Sequence, residues 1–375
     1  MVKAYDRSST VITIFGLENF PSREGVMNMI YDKEFILPKF VERDNQYMND
    51  LEKNLKLYLS FIGEFVSKKC YCNVQNISDN LIDTINNFYN GNVRLALENM
   101  YSIIDCIIKN NENFLVSFNE LKGDFISDNI AFKARCSNSD ACFSAIDMLH
   151  IPFVHRELVE GQRFSISGCP CIYLGKTTYV DWLEMAQPSF NTFFVSPIEI
   201  DGKIKVFNLA YTNWIEIYNF ALKGEIKELE KRALFFPLLL ATSYVVKNGT
   251  GRKFKSEYII SQLLMSCMAK YKVSGVAYLS KRCDDHSLVY PINLCFAFLA
   301  NKNTDKRFKI IPPVNMSIYL NLISKEFTSH ICDFPDEYLK RPIYINGEAQ
   351  PYSETFFYEF DKYLKRQFKD KFAKE

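Results

Sequence analysis

The hydrophobic pattern of this chain changes period near residue 110, and that change limits the folds it can adopt. Upstream of it, apolar side chains recur every three to four positions, the spacing that places them on one face of a helix. Beyond residue 123, short β-branched or aromatic runs are separated by helical patterns. This order predicts an N-terminal helical region followed by an α+β domain.

Three helices are expected in the N-terminal region. The second begins at Ser78 or Asp79, both good N-cap residues, and ends at Gly91. The apolar stripe of the first helix is Tyr47, Leu51, Leu55, Tyr58, Ile62 and Phe65, and that of the third is Leu97, Met100, Ile104 and Ile107. An ordinary helical core explains such stripes better than a partner-binding surface does.

The α+β domain is predicted from six strand-like runs and the helices between them. The strand-like runs are NIAFKARC, PCIYLG, TFFVSPIEI, IKVFNLAYT, SGVAYLS and LVYPINLCFAFLA. Helical patterns cover residues 181–187, 213–222, 228–246 and 255–270. We therefore divide the chain into an N-terminal helical region (1–122), an α+β domain (123–340) and a C-terminal helical extension (341–375), whose helix is capped by Ser353.

Composition narrows the class of protein. A net charge of +1 gives no bulk attraction to nucleic acid or to a membrane. The longest apolar run, 233–246, is shorter than the roughly 20 residues of a membrane span and contains Pro237, so it predicts a buried core helix. Eleven cysteines, an odd number, and no signal peptide predict reduced thiols in a cytoplasmic protein. No metal site is expected, since no cysteine or histidine group has the usual ligand spacing.

Common nucleotide-binding and hydrolase motifs are absent, so attention falls on RFSISGCPCIYLG, which begins at Arg163. A Ser/Gly turn presents backbone N–H groups to an anion, and Arg163 adds a cation able to form paired hydrogen bonds. Phe164 and Tyr173 offer aromatic faces. Such a turn more often serves only as a tight entry into a strand than as an anion-binding site. Glu184 follows among apolar neighbours and lies either on a solvent stripe or in a cleft.

These segments resemble the RES domain, named for its Arg, Glu and Ser residues. The matching stretches are HIPFVHR, GQRFSISGCPCIYLG, TTYVDWLEMAQP, SGVAYLS and YPINLCFAF, spread over residues 131–299. Known RES proteins are bacterial toxins that degrade NAD⁺, often held by a cognate antitoxin, and their fold is similar to that of ADP-ribosyltransferases. The resemblance thus implies an ADP-ribosyltransferase-like mixed sheet, NAD⁺ as substrate and an antitoxin or regulatory protein as partner.

The resemblance also assigns residues. Glu184 matches the family's Glu, and Ser280 matches the Ser of a late strand. The family's early Arg is replaced by Lys133, with Arg135 two positions further along the strand and so on the same face. We expect catalytic roles for Glu184, Ser280 and Arg135, and NAD⁺-binding roles for Lys133, Arg163, Phe164, Gly168, Tyr173 and Asn293.

In the expected reaction, Glu184 stabilises an oxocarbenium-like ribose as nicotinamide leaves. Arg163 and either Lys133 or Arg135 hold the pyrophosphate, Tyr173 or Phe164 stacks on nicotinamide, and Ser280 orients the amide or the ribose. The acceptor stays open among water, phosphate and a macromolecule. Two other functions also stay open: an ADP-ribosyltransferase that modifies a macromolecule, and a degenerate NAD-binding or interaction module. For the N-terminal helical region three roles stay open: an immunity-type sensor, a built-in inhibitor of the enzyme, or a structural brace.

Overall fold

The structure is a computed structural model. It describes residues 34–122, 128–138, 140–247, 251–283, 290–301, 306–323, 341–345 and 348–373. Over these ranges it is a mixed α+β fold, as the sequence predicts, in which one large sheet is covered by helices.

The N-terminal region contains three long helices, α1 (Gln46–Ile62), α2 (Lys68–Tyr89) and α3 (Val93–Asn110). Helix α2 begins well before the predicted N-cap at Ser78 or Asp79. Ser67 is its cap and accepts a hydrogen bond from the Cys70 backbone N–H at 3.3 Å. Ser78 lies inside the helix, where its hydroxyl donates to the Val74 carbonyl at 2.8 Å and so needs no terminal position.

The large sheet has nine strands and mixed direction. Its order is β10-β5-β3-β4-β9-β8-β6-β2, with β11 also paired to β5. The β6–β8 pair is parallel and the other pairs of this sheet are antiparallel. Each of the six predicted strand runs contains a strand, although the strand is shorter than the run at 204–212 and at 288–300. The bounds are β2 (Leu115–Ser117), β3 (Ile130–Cys136), β4 (Cys171–Gly175), β5 (Phe193–Ile200), β6 (Lys205–Asn208), β8 (Gly275–Leu279), β9 (Leu294–Leu299), β10 (Phe308–Ile310) and β11 (Val314–Asn315).

Strands β3 and β4 diverge in the middle of this sheet. Among the described residues they pair only where Phe132 lies opposite Gly175, although β3 continues to Cys136 and β4 begins at Cys171. Each strand is fully paired on its other side, β3 with β5 and β4 with β9. The sheet is therefore split between residues 133–136 and 171–174.

Shorter helices cover the sheet: α4 (Phe118–Lys122), α5 (Thr178–Glu184), α6 (Trp214–Lys223), α7 (Ile226–Ala233), α8 (Phe236–Ala241), α9 (Ile259–Cys267) and α10 (Met316–Ile323). The prediction of a single helix over residues 228–246 is wrong. Pro237 lies at the start of α8, where a missing N–H is tolerated, so the run divides into α7 and α8. Its last residues form strand β7 (Tyr244–Val246), parallel to β1 (Lys39–Val41).

The apolar stripes of the N-terminal helices also suggest that these helices pack as a separate small bundle, but the structure contradicts this prediction. Their apolar faces share one core with α8, α9 and the inner face of β8. Tyr58, Trp214 and Phe236 lie together in this core, with ring centroids of Tyr58 and Phe236 4.7 Å apart. The domain boundaries at 122/123 and 340/341 stay predictions, because residue 123 and residue 340 lie outside the described ranges.

The C-terminal extension forms the hairpin β12 (Pro342–Ile345) and β13 (Glu348–Pro351), followed by helix α11 (Phe356–Phe372). The cap of α11 is Thr355, which accepts from the Tyr358 N–H at 3.3 Å, and not Ser353. Helix α11 packs against α5 through the buried rings of Tyr179, Trp182 and Phe357. None of the described helices is both long and apolar enough to cross a membrane.

Candidate functional site

Glu184 and Ser280, 96 residues apart in the chain, are in direct contact. The Ser280 hydroxyl donates to Glu184 Oε1 at 2.5 Å. Glu184 is the last residue of α5 and is partly buried, whereas Ser280 follows β8 and is fully buried. The carboxylate therefore faces a protein hydroxyl and does not lie on the solvent stripe of a helix.

The positions of both residues are fixed by their own elements. Helix α5 begins where the Thr177 hydroxyl accepts from the Val180 N–H at 3.2 Å and the buried Asp361 accepts from the Thr178 N–H at 3.0 Å. Ser280 donates its backbone N–H to the Asn293 carbonyl at 2.9 Å, which continues the β8–β9 pairing. Asn293 is fully buried, and its carbonyl supports the Ser280 backbone through this hydrogen bond.

Lys281, the next residue, is part of the same cluster and was not predicted from the sequence. It is 7% exposed, and its ammonium donates to the Ser243 hydroxyl at 2.9 Å. Burial lowers the pKa of Lys281 well below its usual value, and the nearby Arg163 charge lowers it further, while Glu184 acts in the opposite direction. The sequence feature that could have indicated Lys281 is its position directly after the matched Ser280, at the end of an apolar run.

Arg163 is held on the other side of Ser243. Its two terminal nitrogens donate to the carbonyls of Thr242 at 3.1 Å and Tyr244 at 2.9 Å. The guanidinium also lies over the Tyr258 ring, 4.7 Å from its centroid. These bonds use two of the five N–H donors of an arginine. Among the described residues no carboxylate pairs with it, so its charge is available for an anionic ligand.

The turn after Arg163 is held by side chains that had been expected to touch a ligand. Phe164 is fully buried and packs on Tyr278 with ring centroids 4.6 Å apart. The Tyr173 hydroxyl accepts from the Phe164 N–H at 3.1 Å and lies 3.1 Å from the Ser165 hydroxyl. In this arrangement Phe164 is a core residue, while the partly buried Tyr173 ties strand β4 to the turn.

Gly168 permits the end of that turn. Its φ of +80° is in the left-handed region that favours glycine. Its N–H donates to the Val159 carbonyl at 2.9 Å, and its own carbonyl accepts from Arg156 at 2.6 Å. Gly168 therefore shapes the turn that carries Arg163.

Lys133 and Arg135 lie on β3, beside the split in the sheet, but have different surroundings. Burial lowers the pKa of Lys133, and the charge of Asp181 on α5 opposes that change. Arg135 instead lies over the Phe143 ring, 5.6 Å from its centroid. Lys133 therefore faces the helix that carries Glu184, and Arg135 faces the segment that follows β3.

Asp181 is a second acid close to Glu184 and was not predicted either. It lies one helical turn before Glu184 and is 6% exposed. Burial raises its pKa well above the usual value, with Lys133 opposing and the neighbouring Asp361 and Glu184 adding to the rise. Its carboxylate lies so close to β4 that a side chain at Gly175 would collide with it, at 2.5 Å from the added carbon.

The structure thus brings Glu184, Ser280, Lys281 and Arg163 into one connected cluster, and Lys133 lies near Asp181 on the helix that carries Glu184. Arg135 contacts the Phe143 ring instead, although its charge also lowers the pKa of Lys133. Within the ranges that the structure describes, no three His, Cys, Asp or Glu side chains converge as metal ligands would.

Comparison with known proteins adds one sequence relationship. No protein-family model matches the chain. A protein of Bacillus subtilis (strain 168) named "Putative toxin YopC" is 27% identical over 250 residues, which are 63% of this chain. The match spans 56% of that protein, so the chain corresponds to little more than half of it. The chain is therefore similar in sequence to a protein named as a toxin.

A solved structure gives a weaker likeness. It is described as the crystal structure of the M. tuberculosis MbcT-MbcA toxin-antitoxin complex. The alignment covers 56% of this chain and 96% of that one, at 11% identity and a TM-score of 0.28. A score this low carries no argument about the fold of the present chain, so the RES resemblance stays a prediction.

Proposed function

We propose that this protein is an enzyme that consumes NAD⁺ by cleaving the bond between nicotinamide and ribose, and that it acts as a bacterial toxin. The observation that carries the proposal is the 2.5 Å contact between Ser280 and Glu184. These are two of the residues that the RES resemblance marks as catalytic, and they meet although 96 residues separate them. The resemblance was drawn from separate sequence segments, so their meeting is independent support for it.

The chemistry requires a negative charge beside the ribose. The nicotinamide ring is positively charged while it is bonded to the ribose, and it leaves as a neutral molecule. The barrier therefore lies in the positive charge that develops on the sugar. A carboxylate held in a fixed direction stabilises that charge without reorganising. The Ser280 hydroxyl fixes one oxygen of Glu184, and the other oxygen is left to face the ribose.

The cations of the site would bind the rest of the dinucleotide. Arg163 has donors left for a phosphate, and Lys133 lies beside the split between β3 and β4. A substrate whose pyrophosphate is negative and whose reacting sugar becomes positive needs cations for the phosphates and a carboxylate for the sugar, and Arg163, Lys133 and Glu184 supply these charges. We assign the pyrophosphate to Arg163 and Lys133 and leave Arg135 out of the binding site.

The toxin assignment is supported by the relative. YopC is named as a toxin, and the similarity covers most of the present chain. An NAD⁺-consuming enzyme would arrest growth of its host cell unless it were restrained. We therefore include an antitoxin, bound to this protein in the resting cell, in the proposal.

The experiment that tests the function is product identification. Purified protein is incubated with NAD⁺, with and without inorganic phosphate, and the products are separated by chromatography. We expect free nicotinamide together with ADP-ribose, or ADP-ribose phosphate when phosphate is the acceptor. NAD⁺ that remains intact at micromolar enzyme, or label from NAD⁺ that appears only on a macromolecule, would contradict the proposed reaction.

A further inference from the structure

The turn that joins the end of α8 to the start of β7, residues 241–244, contacts both the candidate site and the N-terminal helices. It consists of Ala241, Thr242, Ser243 and Tyr244, all of them fully buried. Because it lies in the shared core, any movement of this turn must move the groups bonded to it.

On the site side, the turn receives two cations. Arg163 donates to the carbonyls of Thr242 and Tyr244, and Lys281 donates to the Ser243 hydroxyl between them. Lys281 follows Ser280 directly, so the same turn touches both ends of the cluster that contains Glu184. The position of Arg163 depends on these carbonyls, since no ion pair with it is present among the described residues.

On the opposite side, the turn is held by β1 and α1. The Lys39 N–H donates to the Ser243 carbonyl at 2.9 Å, and the Tyr47 hydroxyl donates to the Ala241 carbonyl at 3.0 Å. Successive carbonyls therefore alternate in partner. Those of residues 241 and 243 bond to the N-terminal region, and those of 242 and 244 bond to Arg163.

Tyr244 makes the most contacts with α1. Its hydroxyl donates to Asp50 at 2.9 Å and accepts from Asn54 at 3.0 Å, and its ring meets that of Tyr47 edge to face at 5.1 Å. Burial raises the pKa of Tyr47, and the charge of Arg163 acts against that rise, which places Arg163 near the same helix. The N-terminal helix and the candidate ligand-binding arginine thus share one support.

We infer that the N-terminal helical region is a positioning element of the NAD⁺ site, and that Tyr244 is the positioning residue through which α1 fixes Arg163. The inference rests on the proposed function for its substrate. It gives the N-terminal region a role in binding, since a loosened turn would lower the fraction of molecules in which Arg163 is placed for the pyrophosphate.

The test compares Tyr244→Phe with Tyr58→Phe. Tyr58 is a matched control, because its fully buried hydroxyl also bonds from α1 to a carbonyl, that of Ala233 at 3.0 Å, away from the turn. Both variants should unfold at a lower temperature. We expect only Tyr244→Phe to raise KM for NAD⁺, by about fivefold, the scale of one lost hydrogen bond. Its kcat should change by less than about twofold.

A second measurement does not depend on turnover. Amide hydrogen exchange is followed in peptides that cover residues 160–168, and it should become faster in Tyr244→Phe but not in Tyr58→Phe. Equal exchange in the two variants, or an equal rise in KM, would overturn the positioning role. If the wild type releases no nicotinamide, the proposed function fails, and the exchange comparison still decides this inference. Tyr47→Phe, which loses the bond to Ala241, replaces Tyr244→Phe if the latter does not fold.

Discussion

Asp361 provides a quantitative test of how the C-terminal helix holds the helix of Glu184. Its carboxylate is 3% exposed, accepts from the Thr178 N–H at 3.0 Å and also accepts from the Tyr352 hydroxyl. Burial raises its pKa from 3.8 to about 6, against the lowering effect of those hydrogen bonds and of Lys365. The folded protein therefore binds a proton at Asp361 more tightly than the unfolded chain does.

The sign of the pH effect follows from linkage. Because the pKa of Asp361 is raised on folding, this group stabilises the folded protein below about pH 4. That stabilisation is lost as the pH rises through about 6. The shift of about two units corresponds to about 3 kcal/mol in the free energy of unfolding, at about 1.36 kcal/mol per unit. Asp361→Asn keeps the shape and removes the titration. We expect the wild type to lose up to about 3 kcal/mol relative to the variant between pH 4 and pH 6.

Urea unfolding of both proteins at half-unit pH steps measures this difference, because other titrating groups are common to the two chains and cancel. The free energy of unfolding of the wild type, measured relative to that of the variant, should therefore be lower at pH 7 than at pH 4 by about the same amount. Parallel stability profiles over pH 4 to 7 would refute the reasoning. They would mean that Asp361 keeps an ordinary pKa and is not desolvated by the packing of α11 on α5.

Two further predictions concern the candidate site. Ser280→Ala should lower kcat by about 10-fold or more with little change in KM, because it frees the Glu184 carboxylate; an unchanged kcat in steady-state assays would exclude that role. Lys133→Ala should weaken NAD⁺ binding by at least about tenfold in calorimetry, since Lys133 faces the helix of Glu184 and the loss of one charged contact is of that order. Arg135→Ala should bind nearly as the wild type does, and the reverse ranking would place the phosphate at Arg135.

The strands were predictable because their signal is local. NIAFKARC and SGVAYLS have the alternation or β-branched content of a strand within the run itself, and both are strands. Helix ends were less certain. Ser78 has the chemistry of a cap, but the bond from its hydroxyl to Val74 satisfies it within a helix that begins at Lys68. The run at 228–246 is uniformly apolar, and periodicity cannot distinguish a buried helix from the strand that ends it.

The candidate site was predictable only in part. The RES resemblance pointed to Glu184 and Ser280, and the structure shows that these two residues are in contact. Lys281 was missed because its partner, Ser243, lies 38 residues away in a segment with no polar pattern of its own. The shared core of the N-terminal helices was missed for a similar reason, since an apolar stripe shows that a helix face is buried but not what covers it.

The central claim, that Glu184 acts on the ribose of NAD⁺, is tested most directly by the rate of nicotinamide release from Glu184→Gln. Gln keeps the volume and an acceptor for Ser280 but removes the charge, and Glu64→Gln on an exposed turn is the control. We predict a loss of about 10²-fold or more in kcat for Glu184→Gln, with an unchanged unfolding temperature, and no loss for the control. Equal rates of nicotinamide release from the wild type and Glu184→Gln would contradict the account.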